Sequence, residues 1–215
     1  MVPSEINRKV SVILAADVVG YSKHMEENEN ETVKSLRGCE TILKNLLKKY
    51  EGSLFNTGGD SFLVEFPSAV GAVQCAVNFQ KEIKINNEKP DVIIPLEFRI
   101  GINSGDVVKQ GKNYLGDGVN IAARLEALAQ KGGVTISKNI YDYVKGKTEF
   151  KYNDLGVQKV KQNQFHAFDI LIDSSHRRKL RSQKSPLAVI VFCTLILAVI
   201  IYAITYLQFY KKDPN

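Results

Sequence analysis

Two hydrophobic rhythms take turns along residues 8–172. Val10 to Ala16 is an apolar run, the pattern of a buried central strand. Glu29 to Tyr50 has helical spacing, with Val33, Leu36, Ile42, Leu43, Leu46 and Leu47 forming an apolar stripe. Gly52–Asn56 and Ser61–Phe66 flank Thr57-Gly58-Gly59-Asp60, which predicts a hairpin. Ser68 is placed to cap a helix that runs to about Ile85. Leu96–Asn103 and Asp106–Lys109 read as a second hairpin, turning at Ser104-Gly105. A helix follows over Asp117–Gln130 and stops at Gly132-Gly133. Val134–Ile136 is a short strand, and Ser137 caps a short helix to Val144. Glu149–Leu155 and Phe165–Ile172 are final strands. There is no internal repeat. The order predicts an α+β layered domain, a mostly antiparallel sheet with helices packed on it.

The rhythm then changes. Leu187 to Leu207 is apolar on every face, and no charge falls between Lys184 and Lys211. Such a helix is long enough for the ~30 Å hydrocarbon core of a bilayer. Tyr202, Tyr206 and Tyr210 lie toward its end, where an aromatic belt sits. The alternative is a buried core helix, which is rarely apolar all round over this length. The expected division is a folded α+β domain at 1–173, a basic juxtamembrane linker at 174–186, a transmembrane helix at 187–210 and a short tail at 211–215. Only eight residues follow Leu207. Either the chain is tail-anchored without an extracytoplasmic sensor, or it continues in a longer protein.

Charge follows this division. The 215 residues carry a net charge of +6. Seven of the 29 basic residues and one of the 23 acidic residues follow position 175, so residues 1–175 are balanced. A nucleic-acid-binding domain would carry its basic excess on a folded face, so no nucleic-acid partner is expected. Basic residues from Arg177 to Lys184 before the apolar span place residues 1–185 in the cytoplasm and bring the linker to anionic lipid. Cys39, Cys75 and Cys193 are odd in number and far apart, which excludes a disulfide scaffold. His24, His166 and His176 are too scattered for a histidine metal cage.

Candidate chemistry sits at strand ends. Asp17 closes the first apolar run, and Asp60 sits at the Gly-Gly hairpin. If the two strands pair, the carboxylates meet, and two carboxylates with backbone carbonyls suit Mg²⁺ or Mn²⁺. The alternative is that Asp17 caps a helix and Asp60 makes an Asx turn. Val18, Val19, Gly20, Tyr21 and Ser22 follow Asp17; a turn there exposes backbone N–H groups where phosphates bind. Asn120 and Arg124 are one helical turn apart and share a face, an amide and a guanidinium suited to a sugar oxygen and a phosphate. The alternative is a solvated stripe with Arg124 paired to Glu126 or another neighbour.

Taken in order, these pieces resemble the catalytic domain of class III nucleotidyl cyclases over residues 8–171. The resemblance rests on Ala-Ala-Asp17-Val-Val-Gly-Tyr-Ser, Thr-Gly-Gly-Asp60-Ser-Phe-Leu-Val-Glu-Phe, Phe-Arg99-Ile-Gly-Ile-Asn-Ser-Gly, Tyr-Leu-Gly-Asp-Gly-Val-Asn120-Ile-Ala-Ala-Arg124-Leu and Leu-Gly-Val-Gln-Lys-Val-Lys161. It implies a ferredoxin-like (palm-type) sheet. It implies that Asp17, Asp60 and the Val18 carbonyl hold two metal ions per active site, Mg²⁺ or Mn²⁺. Asn120 would orient the ribose and Arg124 contact the α-phosphate, while Arg99 and Lys161 match positions that contact the triphosphate. It also implies a head-to-tail homodimer, with the metal carboxylates from one chain and the Asn/Arg pair from the other.

Two positions depart from the family pattern. Adenylate cyclases of this family read adenine with a Lys four residues before the second metal Asp and an Asp seven residues before the transition-state Asn. Those positions are Asn56 and Asn113 here. An amide both donates and accepts and can flip, so it faces either purine. The expected function is a membrane-anchored adenylate cyclase acting on ATP with weakened rejection of GTP. The alternatives are a guanylate or dual-purine cyclase and a catalytically silent nucleotide-binding or dimerisation module. A diguanylate cyclase is disfavoured, because Ser-Phe rather than Glu-Phe follows Asp60 and the Asn/Arg helix has no place there.

Overall fold

A computed structural model describes residues 8–160, 163–173, 178, 194 and 201–203. The chain divides into two units, Met1–Arg178 and Lys179–Asn215. In the second, Thr194 and residues 201–203 are helical. The rest of the expected transmembrane span and the tail lie outside the described residues, as does the linker apart from Arg178. Among the described residues no helix is long and apolar enough to cross a membrane.

The first unit is built on one sheet. Its elements are β1 (Arg8–Val18), α1 (Tyr21–Tyr50), β2 (Ser53–Gly58), β3 (Ser61–Phe66), α2 (Ala69–Asn87), β4 (Phe98–Gln110), β5 (Asn113–Leu115), α3 (Asp117–Leu128), β6 (Val134–Ser137), α4 (Lys138–Val144), β7 (Lys151–Val160) and β8 (Asn163–Leu171). The strand order is β2-β3-β1-β4-β6-β8-β7, with β5 paired to β4. Among the described strands only β4 and β6 pair in parallel.

Alternation along β1 explains the layers. Val12, Leu14, Ala16 and Val18 enter one core with Leu43, Leu47, Val73, Phe79 and Ile140 of α1, α2 and α4. Ile13 and Ala15 face the other way, onto Ala122 of α3, Tyr114 of β5 and Val107. The central strand is therefore buried on both faces, which is why it reads as one apolar run.

Several boundaries differ from the sequence pattern for identifiable reasons. Helix α1 begins at Tyr21, not Glu29, but Asn28 interrupts it with φ −160° and ψ 89°. Asn28 Oδ1 accepts from the Glu31 N–H, and the Thr32 hydroxyl donates to the His24 and Asn28 carbonyls. The helical pattern starts at 29 because Asn28 recaps the helix there. The buried stripe of α1 is Thr32, Ser35, Cys39, Leu43, Leu46 and Leu47.

The hairpin expected at Ser104-Gly105 does not form. β4 runs unbroken through it, with Ser104 opposite Val12 and Gly105 opposite Ser11. Gly105 serves close packing: a Cβ there would lie 3.1 Å from the Gly118 Cα of α3. The turn falls instead between β4 and β5. Ser68 and Ser137 do cap α2 and α4, each side chain accepting a backbone N–H three residues on.

Candidate active site

The register of β1 assembles the first half of the site. Asp17 stands opposite Ser61 of β3 on one side and Arg99 of β4 on the other. A two-residue turn, Gly59-Asp60, joins Gly58 to Ser61, with Gly59 at φ 70°. Asp60 therefore arrives beside Asp17. Burial, reinforced by the Asp17 charge and hydrogen bond, raises the Asp60 carboxyl above the usual carboxylate range, against its own backbone N–H and Arg99.

Arg99 Nη2 donates to Asp17 Oδ2 at 2.8 Å. Its Nε lies 3.0 Å from Glu126 Oε1, an ion-pair distance without an aligned hydrogen bond. Glu126 comes from α3, which touches β4 at Gly101. A Cβ on Gly101 would stand 2.1 Å from the Glu126 backbone nitrogen, so no other residue fits.

Asp17 does not cap a helix. The N-cap of α1 is Gly20 at φ 70°, with no side-chain cap and no acid in the first turn. Val19 N–H is held by the Glu97 carbonyl, Tyr21 packs on the core and Ser22 is exposed. The Val18 side chain is buried, which leaves its carbonyl as the group able to serve the site.

The second half lies on β2, β5 and α3. Asn56 Nδ2 donates to Asn113 Oδ1 at 3.2 Å, so the two amides 57 positions apart do meet. Phe55 and Tyr114, the residues beside them, stack edge to face at 5.0 Å. Asn120 is exposed on α3, and Arg124 one turn on is half-buried. Arg124 does not pair with Glu126; its Nη1 is buried without a hydrogen-bond partner. No hydrogen bond or ion pair among the described residues joins Asn120 or Arg124 to Asp17 and Asp60. Lys161 lies outside the described residues.

Asp17 and Asp60 fit a divalent cation. The Asp17 charge adds to the penalty on an ionised Asp60, and a hard cation between them relieves it. Among the described residues no group of three or more His, Cys, Asp and Glu side chains is placed to hold a metal ion. A two-carboxylate site must fill its remaining positions with carbonyl, water and phosphate oxygens, as Mg²⁺ sites do.

Glu126 is the residue that pattern reading missed. It was visible as a charge on the packed side of α3, between Ala122 and Ala129, both buried. Burial raises its carboxyl from 4.5 to about 7, Asp17 and Asp60 adding to this against Arg99. The folded chain therefore keeps a proton on Glu126 that the unfolded chain has already released, so this contribution to stability is lost as pH rises through about 7. In metal-free protein, the unfolding midpoint of the wild type should match that of Glu126→Gln at about pH 5 and fall below it at about pH 8. A pH-independent difference would refute this.

The model of the family described as adenylate and guanylate cyclase catalytic domain matches residues 2–173. A protein of Rhizobium meliloti named putative adenylate cyclase 3 is 41% identical over 162 residues, covering 75% of this chain and 28% of that protein. A crystal structure of an adenylate/guanylate cyclase/hydrolase from Silicibacter pomeroyi superimposes with TM-score 0.72 at 31% identity, covering 79% of this chain and all of the other. An adenylyl cyclase of P. aeruginosa gives TM-score 0.70 at 26% identity, covering 82% of this chain and all of the other.

Proposed function

The chain belongs to the adenylate and guanylate cyclase catalytic domain family, and on that premise we propose that it converts ATP to 3′,5′-cyclic AMP and pyrophosphate. The observation that carries this reading is the Asp17–Asp60 carboxylate pair, set by strand register beside Arg99 and an uncapped helix start. The chain covers little more than a quarter of its Rhizobium meliloti relative, so the activity of the whole protein belongs to this proposal too.

Asp17, Asp60 and the Val18 carbonyl would hold Mg²⁺ or Mn²⁺, two per site, and bound there the ions supply positive charge to the attacking 3′-oxygen and the departing pyrophosphate. The backbone N–H groups at the start of α1 bind phosphate oxygens, and Arg99 and Lys161 neutralise the triphosphate. Arg124 stabilises charge developing on the α-phosphate, and Asn120 orients the ribose. Among the described residues no hydrogen bond or ion pair joins Asn120 or Arg124 to the carboxylates of their own chain, which supports a head-to-tail homodimer. In it, Asp17 and Asp60 work with the partner's Asn120 and the partner's Arg124. The uncharged run at 187–210, with its basic flank, supports a single-pass membrane anchor that keeps the catalytic domain cytoplasmic.

The test is cyclic nucleotide production by the detergent-solubilised full chain, with ATP or GTP and with Mg²⁺ or Mn²⁺. Cyclic AMP is the expected product. No product from either purine, in folded protein, would favour a silent nucleotide-binding module.

The hydrogen-bonded Asn56–Asn113 pair favours a second reading, dual-purine activity. Each amide can turn to present a donor or an acceptor, so either purine edge finds a matching group there. Preference for ATP over GTP, measured as the ratio of kcat/KM, should stay below about a hundredfold, roughly 2.8 kcal/mol. Asn56→Lys with Asn113→Asp should raise it by about tenfold or more. A wild-type ratio well above a hundredfold would exclude relaxed specificity.

A further inference from the structure

Asp169 of β8 is a buried carboxylate remote in sequence from every residue of the candidate site. Its side chain is 6% exposed, on the side of the sheet covered by α3. The Thr135 hydroxyl of β6, itself fully buried, donates to Asp169 Oδ1 at 2.6 Å. A buried carboxylate needs a cation, and among the described residues none of the strands or helices pairs one with it. The cation comes from Arg178, beyond the last strand. Arg178 Nε and Nη2 donate to the two Asp169 oxygens at 2.6 and 2.8 Å, a bidentate pair.

The third nitrogen makes the arrangement more than a neutralised charge. Arg178 Nη1 donates to the carbonyl of Leu128, the last residue of α3, at 2.9 Å. Helix α3 has no basic residue of its own in its last turn, so Arg178 is the cation at the negative end of the helix dipole. Asn153 of β7 in turn donates to the Arg178 carbonyl at 3.1 Å, fixing the backbone that carries it.

We propose that Arg178 is a positioning residue: by clamping the end of α3 to β8 it holds the last turns of the helix, and with them Arg124 and Glu126, in their working places. This rests on the reading of Arg124 as a transition-state group. Glu126 is the residue that faces Arg99, and it sits in the turn that Leu128 closes. Loosening that turn frees Arg99 from its second carboxylate and lets the Arg124 guanidinium shift. Misplacing a group that acts in the transition state reduces turnover more than it reduces ground-state binding.

The experiment uses the full chain with Arg178→Met combined with Asp169→Asn, which removes both charges and leaves no lone buried carboxylate. Its unfolding midpoint should stay near that of the wild type. Its kcat for cyclic AMP should fall about tenfold or more, while the KM for ATP stays within about threefold. Backbone amide exchange at Leu128 and Ala129 should accelerate at least about tenfold, with β1 and α2 unchanged. Arg178→Lys keeps the charge but places one nitrogen where the guanidinium uses three, and should fall between the wild type and the double variant. Wild-type kcat and wild-type exchange in the double variant would reduce Arg178 to a counter-ion for Asp169 and overturn the proposal. If the wild type itself makes no cyclic nucleotide, the enzymatic reading has failed, and exchange at Leu128 and Ala129 decides the clamp by itself.

Discussion

Asp60→Ala should lower cyclic AMP formation by about a thousandfold or more, the loss expected when several kcal/mol of metal-borne charge stabilisation is removed. The fold should survive. Asp60 occupies one position of a two-residue turn, and the conformational demand of that turn falls on Gly59. Removing a carboxylate that crowds Asp17 also removes a repulsion, so the metal-free variant should unfold no earlier than the wild type. The check is paired: turnover with saturating Mn²⁺, and the unfolding midpoint without metal. A variant keeping more than about a tenth of wild-type activity would exclude Asp60 as a metal-holding residue.

Arg124→Ala should cost about a hundredfold to a thousandfold in kcat, with a smaller effect on the KM for ATP. Its buried Nη1 has no hydrogen-bond partner, so truncation leaves no partner group stranded. The sharper result comes from mixing. If the sites form head to tail as proposed, Arg124→Ala and Asp60→Ala should each be nearly inactive alone, whereas a heterodimer would have one site in which every group is intact. Random pairing of equal amounts should restore about a quarter of wild-type activity, because half the dimers are mixed and each has one of two sites. No recovery after unfolding and refolding the mixture would mean that the carboxylates and the Asn/Arg pair act within one chain.

Local signals in the sequence were reliable where local chemistry decides the structure. Ser68 and Ser137 read as caps because a hydroxyl before a helix has one obvious use, and both are caps. The β1 run read as a strand buried on both faces, and it lies between two cores. Gly105 was misread because the same residue serves a turn and a close helix contact, and nothing in Ser104-Gly105 tells them apart. Only the position of Gly118 across the sheet decides it. The meeting of Asn56 with Asn113 could be expected from the family pattern but not from spacing, since it depends on how β5 packs back toward β2. Glu126 went unrecognised because a single acid on a helix has many ordinary explanations. Its role depends on Gly101, which lets the helix come close enough for Glu126 to reach Arg99.

The interruption of α1 at Asn28 separates the end of the helix near the carboxylates from the part seated in the core. Downstream, the helix is anchored in the core by Cys39, Leu43, Leu46 and Leu47. Upstream, the segment from Tyr21 to Glu27 is largely exposed and begins at Gly20, three residues after Asp17. A continuous rod of 30 residues would carry any displacement of its first turn into that core. The break is bridged by the Thr32 hydroxyl, which reaches back to the His24 and Asn28 carbonyls, and divides the element into two arms that do not share one unbroken backbone ladder. A substitution that alters the first arm is therefore felt less in the core than the same change in a straight helix would be.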